Sequence, residues 1–397
     1  MKIAKLIILL NLFLIIPFNG HAQIKKIKFE QKNFTTEADT WWARSFADIN
    51  GDGMDDIVLI HNNAKGGWLG WYETGENADH WTQHIIAGIP KTDEKFASGA
   101  MATGDFNNDG KTDILGFIHN GELSGDRGKP TEIYWFQNPG WERQYIGQAP
   151  AFVKDVVVAD FNKDGLLDIA VNTHVKASVH IFSQGKPGWT EVFGQSITNV
   201  HEGMAAGDLD GDGYPDLAFN GYWLKSPGKN LSEEWKLGVI DEKWHTQTDD
   251  WTKNSTKVFC ADINNDGKDE VFISQSERAG YPVAWYELKD AKNNTWEEHI
   301  INVTIAGCHT LQVFDFNNDG HLDVLVGENG HMNRDVDDPV VICLNNGDNV
   351  NFTNVVLSSG GIYNGIAGDV NGDGKIDFMR LSGHASKEME IWINVTE

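Results

Sequence analysis

One nine-residue pattern, D-x-[DN]-x-D-G-x-x-[DE], occurs seven times and does more than any other feature to limit how this chain folds. Its variable oxygens are Asp48, Asn50, Asp52 and Asp56 in the first copy and Asp105, Asn107, Asp109 and Asp113 in the second. They are Asp160, Asn162, Asp164 and Asp168 in the third, and Asp208, Asp210, Asp212 and Asp216 in the fourth. The last three copies have Asp262, Asn264, Asp266 and Glu270, then Asp315, Asn317, Asp319 and Asp323, then Asp369, Asn371, Asp373 and Asp377. Successive first acids lie 57, 55, 48, 54, 53 and 54 residues apart. A period near fifty marks a repeat architecture in which each copy is one supersecondary unit.

Alternate oxygens at positions one, three and five, with an acid at nine, converge on a hard cation, and the Gly at six lets the loop curl around it. An EF-hand would need flanking helices and a Glu at position twelve. Here the flanks are short β-type runs, Val156–Val158 before the third loop and Leu167–Val171 after it. The expected cofactor is therefore structural Ca²⁺, up to seven ions. The loops also explain the acidity: their 22 carboxylates account for most of the net charge of −26 and leave −4 for the rest. With no basic face, nucleic acid is excluded as a partner.

Two more strand-like runs follow each loop's second strand, such as Trp68–Tyr72 and Trp81–Ile86, or Val283–Tyr286 and Trp296–Ile301. Four strands in each of seven units predict an all-β, seven-bladed β-propeller. The last unit stops after a third strand, Glu388–Asn394, so Ile24–Phe29 is expected to complete it and close the ring. Met1–Ala22 has Lys2 and Lys5, an apolar run and Gly20-His21-Ala22, the pattern of a secretory signal peptide. The expectation is a leader over 1–22 and a single propeller domain over 23–397. No membrane span is expected, and the periplasm or the extracellular space is the destination of a monomer. Three Cys without paired spacing give no disulfide framework.

Starts of inner strands and ends of second strands meet on the face opposite the loops. In blade order these are Trp41-Trp42 with His61, Ser98 with His119, Lys154-Asp155 with His174, and His201-Glu202 with Tyr222-Trp223. Then come Lys257 with Arg278, His309 with Glu328 and His331, and Tyr363-Asn364 with His384. Half of the 14 His fall on this rim, which suits proton transfer or a zinc ion. His84 and His299 in W-x-x-H-I-I runs read as exposed blade residues. Glu202 and Glu328 leave paired-carboxylate hydrolysis open. A sugar-sized hollow with His, Tyr and Arg suits elimination from a uronate. A cation neutralises the carboxylate, one group removes the C5 proton, and another protonates the oxygen leaving C4.

The seven loops resemble the FG-GAP (VCBS) repeats of integrin α-chain heads and many secreted bacterial proteins. The blade N-V-H-E-G-M…G-D-L-D-G-D-G…G-Y-W is similar to that of secreted propellers acting on uronate-containing algal polysaccharides such as ulvan, and to sugar dehydratases built on the same repeats. That resemblance implies a His and Tyr proton-transfer pair, an Arg against the carboxylate and, in some members, Zn²⁺ near the site. It makes His119, His174, His201 and His309 base or metal-ligand candidates, Tyr222 the acid and Arg278 the carboxylate clamp. The implied activity is that of a lyase or dehydratase acting on a uronate-containing oligo- or polysaccharide, with an oligosaccharide better matched to the periplasm. The rival reading is a non-catalytic, lectin-like propeller. Lectin propellers repeat their binding residues from blade to blade, whereas this rim varies.

Overall fold

The computed structural model describes residues 26–35, 43–61, 67–88, 94–119, 121, 126–186, 188–247, 254–330, 338–383 and 388–397. The leader (1–22) lies outside them, as do Trp41, Trp42, His331, Arg334 and His384. Among the described residues the strands form seven four-stranded antiparallel sheets, with no α-helix. Blade one, with strands Ala43–Ala47, Asp56–Ile60, Trp68–Thr74 and Trp81–Gly88, shows the order shared by the first six. No helix is long and apolar enough to cross a membrane.

Burial follows the distance of each strand from the axis. The second strand is covered on both faces by neighbouring blades, so Asp56–Ile60 is buried throughout and reads as an unbroken apolar run. The first strand lines the axis: in Val153–Ala159 only Val153 is fully buried and the residues after it are partly exposed. On the third strand Trp71, Trp135 and Trp285 are buried between blades. His84 and His299 stack on Trp71 and Trp285 at 4.3 and 3.8 Å. They are half-buried blade packing rather than the exposed residues expected, and His84 also meets Glu73 at 2.8 Å.

Blade seven is assembled from both ends of the chain. Ile366–Gly368, Asp377–Leu381 and Glu388–Asn394 are joined by the N-terminal strand Phe29–Thr35, in the register Phe29↔Asn394 to Thr35↔Glu388. The completing strand thus starts where the expected Ile24–Phe29 would end. Blade seven meets blade one through the Asp55 N–H to Asp369 carbonyl bond (3.0 Å) and the Asp369 N–H to Asp55 carboxylate bond (3.0 Å). An apolar seam with Leu59 on one side and Met379 and Ile391 on the other runs beneath them.

Candidate functional site

The loops repeat one hydrogen-bond pattern. In the first, Asp48 accepts the N–H groups of Gly51 (2.7 Å) and Gly53 (2.9 Å), and Asp52 accepts that of Met54 (2.9 Å). The position-six glycines all have positive φ, from 80° at Gly374 to 90° at Gly213. Position four is also left-handed, which explains Gly51, Asn108, Asn265 and Asn318 there, with Lys163 the exception. The position-nine acid is a brace: Asp56 is fully buried and accepts N–H from Ile49 (3.0 Å) and from Thr74 (2.8 Å) on the third strand. Burial, with the charges of Asp52 and Asp48 adding, pushes its carboxyl up to about 7, and Asp216 and Glu270 reach about 8. A cation among these oxygens would favour the ionised form. The all-oxygen donor set fits Ca²⁺.

The opposite face gathers a polar cluster around the axis, because the inner strands start closest to it. Lys154, Lys257, His309 and Arg44 are each the second residue of an inner strand, and Glu202 and Tyr363 stand just ahead of Met204–Gly207 and Ile366–Gly368. The Glu202 side chain, 1% exposed, takes Lys154 Nζ at 3.1 Å on one oxygen and Lys257 on the other. Lys257 also donates to Asn364 Oδ1 at 2.7 Å. His309 Nε2 lies 3.3 Å from Glu277 and 3.5 Å from Glu202, and its ring stacks on Tyr363 with centroids 4.1 Å apart. His201 meets His174 edge-on at 4.6 Å and the Ser255 hydroxyl at 3.0 Å. Arg127 donates to His174 Nε2 at 2.8 Å. Arg44, Asp155, Lys257, His309 and Asn364 line an axial hollow of about 600 Å³ including its open mouth.

This packing sets the protonation states. Burial lowers His309, with Lys257 adding to the effect, and lowers His174 to about 2 and His201 to about 4. Burial raises the Tyr363 phenol. Burial also opposes the charge on Glu202, but Lys154 and Lys257 outweigh it and hold the carboxyl well below its usual range. Neutral imidazoles therefore sit beside a protonated phenol. Four cations (Arg44, Arg127, Lys154 and Lys257) stand against three carboxylates (Asp155, Glu202 and Glu277), and burial raises Asp155. The cluster therefore carries an excess of positive charge inside a chain of net charge −26, and Arg44 and Lys257 bring it to the wall of the hollow.

Of the residues singled out in the sequence, His174, His201 and His309 meet here. His119 lies one layer out: it bonds Thr131 at 2.9 Å, and the Phe152 ring stands 5.2 Å from it and 6.3 Å from His174. Tyr222 stacks on His245 at 3.7 Å and points its hydroxyl at the Thr198 carbonyl, so Tyr363 is the phenol of the cluster. Arg278 is half-exposed and makes no ion pair among the described residues; its neighbour Glu277 turns inward, and Arg44 and Arg127 supply the guanidinium groups. Glu277, not Glu328, is the second carboxylate facing Glu202 across His309. Glu202, Glu277 and His309 fit zinc poorly, because ammonium groups already hold both Glu202 oxygens. Tyr363 and Lys154 stood on the expected rim, but Arg127 lies in the connection between the second and third strands of blade two, Asp113–His119 and Thr131–Gln137, and no pattern pointed to it.

The FG-GAP-like repeat profile matches residues 48–116, 105–171 and 246–326, a little over half of the chain. No curated protein matches it in sequence. Among solved structures, BBS1N in complex with ARL6DN superposes with a TM-score of 0.54 at 9% identity, over 93% of this chain and 96% of that one. Saccharomyces cerevisiae Sqt1 does so with a TM-score of 0.56 at 8% identity, over 92% of this chain and 98% of that one. At such identity the likeness concerns the fold alone.

Proposed function

The chain belongs to the FG-GAP-like repeat family, and from that premise we propose that its axial cluster is the active site of an eliminase acting on uronate-containing oligosaccharides. The observation that carries this reading is the His309–Tyr363 stack at 4.1 Å, whose His309 lines the axial hollow together with Arg44 and Lys257. Burial drives the two groups apart in protonation, leaving a neutral base beside a neutral acid, which is what a paired proton transfer at neutral pH needs.

Arg127 and Lys257 supply positive charge for the substrate carboxylate, so that negative charge building up beside C5 is stabilised. His309 takes the C5 proton. The electron pair of that C–H bond becomes the C4=C5 double bond as the C4–O bond breaks, and Tyr363 protonates the departing oxygen. If that oxygen is a free hydroxyl, water leaves; if it links to another sugar, the chain is cut. Glu277 and Glu202 flank His309 Nε2 and stabilise the imidazolium that forms. His174 and His201 form the wall beside Arg127. Calcium held by the repeat loops braces the scaffold, and the leader-like segment 1–22 supports action outside the cytoplasm.

The test is incubation of the purified protein with several uronate-containing oligosaccharides while following the ultraviolet absorbance of a conjugated 4,5-unsaturated uronate. Mass spectrometry then separates loss of one water from chain shortening. Sugar binding with neither product would refute elimination and leave the lectin-like reading in its place.

A further inference from the structure

Loop four departs from the other six. Its backbone makes the same turn: Gly211 and Gly213 N–H both reach Asp208 at 2.9 Å, and Tyr214 N–H reaches Asp212 at 3.0 Å. Position three, however, is Asp210 where the other loops have Asn. Oxygens of Asp208, Asp210 and Asp212 lie within 4.8 Å of one another, so on acidity alone this loop would be the strongest cation site of the set.

That place is already filled. Lys225, on the third strand Tyr222–Lys225, bonds Asp210 Oδ2 and lies 2.7 Å from Asp212 Oδ2, bridging ligand positions three and five. In four other loops the bridge is the position-three amide itself: Asn50, Asn107, Asn162 and Asn317 each donate Nδ2 to the position-five carboxylate at 2.9 to 3.1 Å. A neutral amide can rotate and present its oxygen to an ion. An ammonium cannot become an acceptor, and a divalent ion entering beside it meets like charge and must break two charge-assisted bonds. The residue equivalent to Lys225 precedes the one whose N–H reaches the position-nine acid. In five other blades it is Glu73, Gln137, Ser183, Leu344 and Ile393, none of them a cation.

We infer that Lys225 is the resident cation of loop four, and that this loop binds no calcium at concentrations that fill the other six. The extra carboxylate of Asp210 and the ammonium of Lys225 cancel as a pair, so the loop keeps its shape without an ion. The inference rests on the calcium reading of the remaining loops.

The experiment is a count of calcium ions per chain, by native mass spectrometry and by elemental analysis, for wild type and Lys225→Met at one buffered free calcium concentration. Six ions on the wild type and seven on Lys225→Met are expected. The double change Lys225→Met with Asp210→Asn, which restores the composition of the other loops, should also carry seven. If Lys225→Met loses its native far-ultraviolet spectrum, Lys225→Gln removes the charge while keeping the stem, and it should give the same seven. A wild-type count of seven, or no gain when the charge is removed, overturns the inference. A wild-type count of zero overturns the calcium reading of all seven loops together with it.

Discussion

Replacing Glu202 with Gln removes one negative charge from a position where two buried ammonium groups depend on it. The Lys154 and Lys257 side chains are only 14% and 17% exposed, and both reach the same carboxylate. Breaking a buried ion pair by deleting one partner costs about 3–5 kcal/mol, because the remaining charge stays desolvated. Lys257 keeps Asn364 Oδ1 at 2.7 Å, which places the expected loss near the lower end, about 3 kcal/mol. An unfolding entropy of about 2.1 cal/mol/K per residue over roughly 370 residues converts this to a fall of about 4 °C in Tm. The loss must also depend on pH with a defined sign. The folded-state pKa of Glu202 lies well below 4.5, so its contribution is fully present above that value and is lost as pH falls through the folded pKa. The gap between wild type and variant should therefore be constant near neutrality and shrink by about 1.4 kcal/mol per pH unit below 4.5. Thermal melts followed by the fluorescence of the 15 Trp, at a series of pH values, read both quantities. A Tm change under about 1 °C at pH 7, or a gap that widens in acid, would refute the argument that Lys154 and Lys257 depend on this carboxylate.

Chelation should lower Tm by on the order of 10 °C, since each ion held at a hundredfold excess over its Kd adds about 2.7 kcal/mol to the folded state alone; identical melts with and without chelator would exclude calcium from the loops. Tyr363→Phe should abolish formation of the unsaturated product with little effect on Tm, while Tyr222→Phe, whose hydroxyl makes only a 3.3 Å bond to Thr198, should retain it; the reverse outcome would move the acid off the axis. Because burial lowers the His309 pKa and the base must be neutral, the acid limb of kcat/KM should lie below the ordinary 6.5, and a limb above 6.5 would count against His309.

The scaffold could be read in the sequence because each loop writes its geometry into four spaced oxygens and a glycine, and the strands on either side are apolar runs. The completing strand was misplaced for the opposite reason. Phe29–Thr35 is an edge strand with Phe34 buried at 3% and, over residues 30–33 between its two Phe, polar and mostly exposed side chains, so backbone pairing to Glu388–Asn394 more than hydrophobic pattern holds it. Ile27 and Phe29, apolar residues of the expected stretch, pack partly against the seam between blades six and seven. The site was legible only as a rim. Position in the repeat shows that Lys154, His201, His309 and Tyr363 approach the axis, but not which side chains touch. Tyr222 sits at a strand end that its pairing to Phe219 and Val239 turns outward toward His245. Glu277 rather than Arg278 enters the cluster through a backbone bond to Gln275 Oε1 at 2.6 Å, a local matter no spacing rule encodes.

The blade built from both ends of the chain has a kinetic consequence. Six blades close contacts among residues about fifty apart and can form as soon as each has been synthesised. The seventh cannot: its outer bonds, such as Lys28 N–H to Thr396 Oγ1, join residues 368 positions apart. Closing that loop costs about 2 kcal/mol more in chain entropy than closing one of fifty residues. The final docking of Phe29–Thr35 should then be the slow, late step of refolding, and a chain halted before Asn394 would be left as an open arc with its first and last blades unsealed.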